Sequence, residues 1–291
     1  MLKKSTLLHL RLPFSFYLMP VYFFALSVAD QVSIIPALLI FVALHLFLYP
    51  ASNAYNSYFD KDEESIGGLK HPPPVSRQLL YAAFLLDGLA WLTGLFISLP
   101  FAVMAIMYSL VSRAYSHPSI RLKKYPLASW LVAGFFQGFF TFMMVCVGLG
   151  SGGIEESLKT PVLIPAFLSS MLLWGSYPMT QVYQHREDSR RGDRTLSLVL
   201  GIRGTFYFTA AFFTLAIAGF TFYYITYYSL RQALLFQLFL LPMPGYFIYW
   251  LIKVQKNISL ADFSHSMRLN TISAFCLNLF FLLFRFLGKL P

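Results

Sequence analysis

The chain has 291 residues, 57% of them hydrophobic and only 12% charged, where a soluble domain carries about 25% charged residues; its mean hydropathy is +0.63. Such a composition excludes an ordinary soluble globular domain, and a net charge of +10 spread over short loops does not single out nucleic acid as a partner. Cys146 and Cys276 both fall in apolar stretches and are expected as buried thiols without a disulfide.

Nine apolar blocks, each long enough to cross a hydrocarbon core of about 30 Å, are read near residues 12–29, 34–53, 78–97, 99–116, 127–149, 161–182, 205–228, 233–253 and 268–287. The expected fold is all-α: a polytopic bundle of about nine transmembrane helices in the lipid bilayer, one domain over residues 1–291. With the N-terminus inside, 18 of the 22 lysines and arginines fall on the inner side, the exceptions being Lys159, Arg231, Arg285 and Lys289. That bias predicts a cytoplasmic N-terminus and cytoplasmic motif loops, with the C-terminus outside, in the cell's inner or plasma membrane.

Arg11 stands at the inner end of the first block, where it either snorkels or contacts an anionic part of a substrate, such as an acceptor carboxylate. The second block runs into Asn56, Asp60 and Glu64, which recur every four residues and so would share one helix face, before the chain breaks at Gly67-Gly68 and Pro72-Pro73-Pro74. The third and fourth blocks form a hairpin that carries a single acid, Asp87. The segment from Tyr115 to Pro126 holds two prolines and three basic residues and reads as an inner loop of defined shape. An outer connector with Glu155 and Glu156 follows. The sixth block delivers Gln184 to Asp188, then Gly192 and Thr195-Leu196, an echo of the first cluster at a constant offset, since 184 − 56 and 188 − 60 both equal 128. The last three blocks carry no acid apart from Asp262.

Two oxygen-rich clusters on one side suit a hard cation. Mg²⁺ binds through one or two carboxylates completed by substrate phosphates, and Asn56, Asp60, Glu64, Gln184 and Asp188 are candidate ligands. Lys70, Arg77, Arg121, Lys123, Arg186 and Arg190 would hold a diphosphate by charge-assisted hydrogen bonds. The chemistry so supported is departure of diphosphate from an allylic chain, with the residual carbocation on an apolar tail among aromatic helices. A transporter would place ionisable groups near the midplane, whereas the charges here cluster at the inner boundary. The D-G-x-x-A-R signature of membrane phosphotransferases is absent. A catalytically silent binding protein of the same fold is the other alternative, and only Gln184 favours it.

Through these residues the sequence resembles the UbiA superfamily of intramembrane prenyltransferases. Its N-x-x-x-D-x-x-x-D motif is matched by Asn56, Asp60 and Glu64, with Glu for the last Asp. Its D-x-x-x-D…G-x-x-T-L motif is matched by Asp188, Gly192, Thr195 and Leu196, with Gln184 for the first Asp. Tyr115-Ser-His-Pro-Ser-Ile-Arg-Leu-Lys123 is similar to the Y-S-x-P-P-x-R-L-K segment of the branch acting on quinone precursors, homogentisate, chlorophyllide and archaeal lipid glycerol, with Ser119 replacing the second proline. The resemblance implies that Asn56, Asp60, Glu64 and Asp188 hold Mg²⁺-diphosphate, and that Lys70, Arg77, Tyr115, Arg121 and Lys123 contact the diphosphate. Asp60, Asp188, Lys70 and Tyr115 are expected to carry catalysis. The implied reaction moves a polyprenyl group from its diphosphate to an aromatic or lipid-like acceptor. No protein partner and no nucleic acid are expected.

Overall fold

The computed structural model describes residues 3–150 and 157–286; Glu155, Glu156 and Lys289 lie outside the described residues. Twelve helices are named here in chain order. α1 is Lys4–His9, followed by a 3₁₀ turn Leu12–Tyr17, then α2 Met19–Val28; α3 runs Ile34–Asp60, α4 Arg77–Ile97, α5 Leu99–Ser116 and α6 Pro126–Leu149. After the outer connector come α7 Thr160–Ser176, α8 His185–Arg191, α9 Leu196–Tyr227, α10 Leu230–Leu240, α11 Pro242–Lys256 and α12 Phe263–Phe286. Among the described residues there is no β-strand beyond one isolated bridge between Ile66 and Leu69.

The blocks read from hydropathy fall on these helices, but nine spans are not established. Among the described residues, six helices are long and apolar enough to cross a membrane, or eight if each of two bent pairs, around Leu18 and Leu241, counts as one span. The expected fourth block is a continuous 18-residue helix, α5, whose last turns carry Ser112, Arg113 and Ser116 and dilute its apolar character. Prolines open α5 and α6 at positions where no N–H is needed, and between α4 and α5 the Ser98 hydroxyl accepts the Phe101 N–H at 3.2 Å, so the hairpin turns in one residue.

Small residues let the helices approach. A methyl group at Gly138 would come within 2.5 Å of the Ser170 backbone, so α6 and α7 touch main chain to main chain there, as membrane helices do. At the same place α6 widens into a π turn, Phe135–Phe140. The Ser170 hydroxyl enters that turn, accepting the Phe139 N–H at 2.8 Å and donating to the Gly134 carbonyl at 2.9 Å. Two backbone groups that hydrocarbon would leave unpaired are thereby satisfied. α3 carries a second π turn, Val42–Leu48, where buried His45 is hydrogen bonded through Nδ1 to the Ser15 hydroxyl at 2.7 Å. Away from the polar end the core is aromatic, with Phe24 stacked on Phe281 at 4.4 Å and Phe220 on Phe236 at 4.8 Å. Both cysteines are buried and free, as expected.

Candidate functional site

α3 ends at Asp60, one residue before Lys61, which takes left-handed backbone at φ 50°. The predicted continuation of the helix face to Glu64 is therefore wrong. Asp60, Asp62, Glu63 and Glu64, broken only by Lys61, would crowd negative charge onto a helix C-terminus that is itself negative, and the chain turns away instead. Asn56 and Asp60 do share a face: the Asn56 amide donates to Asp60 Oδ2 at 2.7 Å and to the Ser116 hydroxyl at 3.0 Å. Gly67 and Gly68 carry the loop back over the first turn. Phe14 lies against them, a Cβ at Gly67 would fall 2.7 Å from its ring, and Gly68 has φ +84°.

The second cluster is arranged differently. The sixth membrane segment stops at a 3₁₀ turn, Tyr177–Thr180, and Gln184 is the N-terminal flanking residue of the short helix α8. Gln184 donates its side-chain N–H to the Ser65 carbonyl at 3.1 Å, tying α8 to the first-motif loop. Asp188 lies in the first turn of α8 and accepts the Thr195 hydroxyl at 3.2 Å, while Thr195 caps α9. Glu187 is also buried. Its carboxylate accepts the N–H groups of Glu63 (3.1 Å) and Glu64 (2.8 Å) and pairs with Arg191, which reaches Asp62 at 2.6 Å. The two motifs are thus stitched together by Gln184, Glu187 and Arg191.

The inner loop supplies the third side. Lys123 is buried, with Nζ 2.5 Å from Asp60 Oδ1 and 3.2 Å from Asp193 Oδ2. Arg121, at φ 47°, forks onto both oxygens of Asp193 at 2.7 and 2.9 Å. The non-glycine residues with positive φ among the described residues are Arg11, Lys61 and Arg121, all at this end of the molecule. Such strain collects where surrounding contacts over-determine the backbone.

These segments enclose a cavity of about 260 Å³ whose walls include Asn56, Asp60, Asp62, Lys123, Gln184 and Asp188. Arg11 and Tyr115 face it too. The Tyr115 hydroxyl is hydrogen bonded to that of Tyr177. The Arg11 guanidinium donates to the Asn53 and Gly67 carbonyls, both at 3.3 Å, and to Asn56 Oδ1 at 3.5 Å, while its Nε has no partner. The other predicted residues lie elsewhere. Glu64, Lys70 and Arg186 line a separate open cavity of about 530 Å³ on the far side of the first-motif loop. Glu64 approaches Arg186 at 3.6 Å and Arg190 at 3.9 Å in exposed pairs of little energetic weight. Arg77 is exposed at the start of α4, and Arg121 lies behind Lys123 and off the cavity wall.

Burial dominates the electrostatics. It pushes the Asp188 carboxyl up to about 7, opposed by Lys123 and Thr195 and reinforced by Asp193 and Asp62. Burial acts in the same direction on Asp193 and Glu187 but is overcome. Arg121 and Lys123 hold Asp193 below the usual carboxylate range, and the Glu63 and Glu64 N–H groups with Arg191 do so for Glu187.

Asp62, Glu187, Arg191 and Asp193 were not among the site residues read from the motifs, although each was in view between or beside them. Among the described residues, no three of His, Cys, Asp and Glu converge as a metal cage. The motif donors on the cavity wall are the carboxylates of Asp60 and Asp188 and the amides of Asn56 and Gln184, with Asp62 beside them. That set fits Mg²⁺, which takes one or two protein carboxylates and completes its shell with water and substrate phosphate.

Comparison with known proteins gives one family and one fold. The UbiA prenyltransferase family model matches residues 17–272. A digeranylgeranylglyceryl phosphate synthase structure is 19% identical, with 98% of each chain covered and a TM-score of 0.60. A UbiA homolog from Archaeoglobus fulgidus bound to GPP and Mg²⁺ is 14% identical over 97% of this chain and 99% of its own, at TM-score 0.68. An apo UbiA homolog from Aeropyrum pernix K1 is 18% identical over 93% and 97%, also at 0.68. A search of curated proteins finds no match. At these identities the structures establish a shared all-helical membrane fold, while the family model covers most of the chain, with all three motif segments inside its bounds, and on that ground the chain belongs to the UbiA prenyltransferase family.

Proposed function

We propose that this membrane prenyltransferase transfers a polyprenyl group from its diphosphate to an aromatic or lipid-alcohol acceptor, in a reaction dependent on Mg²⁺. The observation that carries the reading is the adjacency of two chambers. The polar cavity shares Tyr17, Leu173, Ser176 and Asn270 with an apolar chamber of about 80 Å³ that runs to Phe24 and Phe281. A charged head and a hydrocarbon tail have adjoining compartments.

In the reaction the allylic C–O bond breaks and its electron pair leaves on a diphosphate oxygen. A nucleophilic carbon or hydroxyl of the acceptor then bonds to C1 and loses its proton. Asp60, Asp188, Asn56 and Gln184 would hold Mg²⁺, which supplies neutralisation of the charge developing on the leaving group. Lys123 would donate to a phosphate oxygen from a buried position, where a fixed cation acts more strongly than in water. Tyr115 would add a hydroxyl donor, and the rings of Tyr108 and Phe136 on the cavity wall would face the allylic cation. Arg11, buried with a spare Nε–H, suits an acceptor carboxylate or phosphate. Glu64, Lys70, Arg77, Arg186 and Arg190 are left outside the cavity and carry no role in this reading. The excess of basic residues at this end supports placing it in the cytoplasm.

The test is prenyl transfer from labelled farnesyl or geranylgeranyl diphosphate in purified membranes. The acceptor panel holds 1,4-dihydroxy-2-naphthoate, 4-hydroxybenzoate, homogentisate and a glycerol phosphate. A product that forms with Mg²⁺, disappears with chelator and is absent in Asp60→Asn is the expected result; full activity in both Asp60→Asn and Asp188→Asn would sink the assignment. Arg11→Ala is expected to weaken acidic acceptors selectively, and an equal effect on neutral ones would remove that role.

A further inference from the structure

Arg121 is one of the two basic residues of the inner-loop motif, yet unlike Lys123 it does not reach the cavity. Both oxygens of Asp193 receive its fork, and Asp193 in turn holds Lys123, which does line the cavity. We propose that Arg121 and Asp193 are positioning residues that hold Lys123 on the cavity wall, and that Lys123 alone of this loop's basic residues contacts the diphosphate; the proposal rests on reading the cavity as the diphosphate site.

Three observations carry it. Asp193 is only 1% exposed, so its carboxylate is spent inside the protein and unavailable to a ligand arriving through the cavity. Gly192, at φ +73°, turns the chain so that the Asp193 N–H donates to the Asp188 carbonyl at 2.9 Å. The carboxylate that aims Lys123 is therefore fixed to the second motif. Lys123 lies between Asp60 at 2.5 Å and Asp193 at 3.2 Å, and an ammonium group has three N–H donors, so one remains for a phosphate oxygen. Without Asp193 the ammonium has Asp60 as its sole acid partner and is drawn toward it. Without Arg121, Asp193 keeps a buried charge balanced by Lys123 alone and pulls that group away from the cavity. Either loss misplaces the same ammonium, which is why the two should act as one unit.

The experiment is calorimetric binding of inorganic diphosphate, with Mg²⁺ present, to the purified full chain in detergent, alongside steady-state kinetics. The variants are Arg121→Ala, Asp193→Asn, their double, and Lys123→Ala. Each of the two single variants is expected to weaken binding and raise KM about 10-fold with kcat changed less than about 3-fold, and the double to be no worse than either single, the mark of residues acting through one partner. Lys123→Ala is expected to lose about 100-fold, as removal of the contacting cation should. Asp193→Glu, which keeps the charge, is expected to recover most of the loss, and Arg121→Ala carries the test if Asp193→Asn does not fold. Asp87→Asn is the control for a buried acid outside the site: Asp87 pairs with Arg113 at 2.6 Å and accepts from Ser109 at 2.7 Å. That variant should lower thermal stability without changing diphosphate binding.

Additive losses, with Arg121→Ala as severe as Lys123→Ala, would show that Arg121 touches the diphosphate and overturn the proposal. Unchanged or tighter binding in a folded Asp193→Asn or Arg121→Ala, with Lys123→Ala still weak, would overturn it while leaving the site reading intact. Unchanged binding in Lys123→Ala would bring down the diphosphate reading of the cavity, and the proposal with it.

Discussion

Asp60 and Asp188 follow spans of similar make-up, 128 positions apart, yet they sit at opposite ends of their helices. Asp60 is the last residue of a long helix, where the exposed carbonyls oppose a carboxylate by about 0.3–1 kcal/mol. It is tolerated there because Asn56 and a lysine from another segment reach it. Asp188 is in the first turn of a seven-residue helix whose N–H groups favour it, and its partner Thr195 comes from the same connection. One half of the site is ion-paired from across the fold, while the other takes its hydrogen bond from its own connection and feels Lys123 only through space. Similar spacing in sequence has been met by two electrostatic solutions.

The comparison is broken most directly by Asp60→Asn against Asp188→Asn. Both should lower kcat/KM by about 10²–10³-fold, the scale for loss of one electrostatic contact in the transition state. Only Asp60→Asn leaves a buried lysine short of an acid, so its melting temperature should fall further. Equal melting temperatures in a thermal-shift assay would erase the distinction. Next in size is Glu187→Gln, which removes the charge that clasps the first-motif loop to α8. Loss of a charged acceptor of two N–H groups is worth about 1.5–3 kcal/mol. Amide exchange at residues 62–66 should accelerate accordingly, and unchanged exchange would show the clasp to be idle. The smallest effect is assigned to Gln184→Glu, which keeps the length but loses the N–H given to Ser65. A net loss of about 1 kcal/mol in loop anchoring is expected, seen as modestly faster exchange at residues 65–69. A large gain in activity instead would mean that the second cluster lacks a carboxylate more than it needs a tether.

Much of the helix bundle could be read from the chain because hydrocarbon leaves little choice: blocks of about 20 apolar residues, punctuated by basic loops, are spans. Asn56, Asp60, Gln184, Asp188, Tyr115, Lys123 and Arg11 were named and lie on one cavity. What escaped depends on tertiary context. The stop of α3 at Asp60 was legible in principle, since the acids crowding that helix end stand in the sequence, but the four-residue repeat running on to Glu64 masked it. Arg121 and Asp193 meet across 72 positions, a pairing that no local pattern encodes. Glu187 follows no motif position, and only the folded loop shows that its carboxylate receives the Glu63 and Glu64 N–H groups.

The π turn in α3 has a further consequence. It inserts one residue into the helical count upstream of Asn56 and Asp60, and every side chain beyond it is rotated by about 100° relative to an uninterrupted helix. The azimuth of the first motif is thus set by Val42–Leu48, which holds none of its residues. A one-residue deletion there would swing Asn56 and Asp60 out of the cavity while preserving every letter of the motif, so the site has a reading frame as well as a composition.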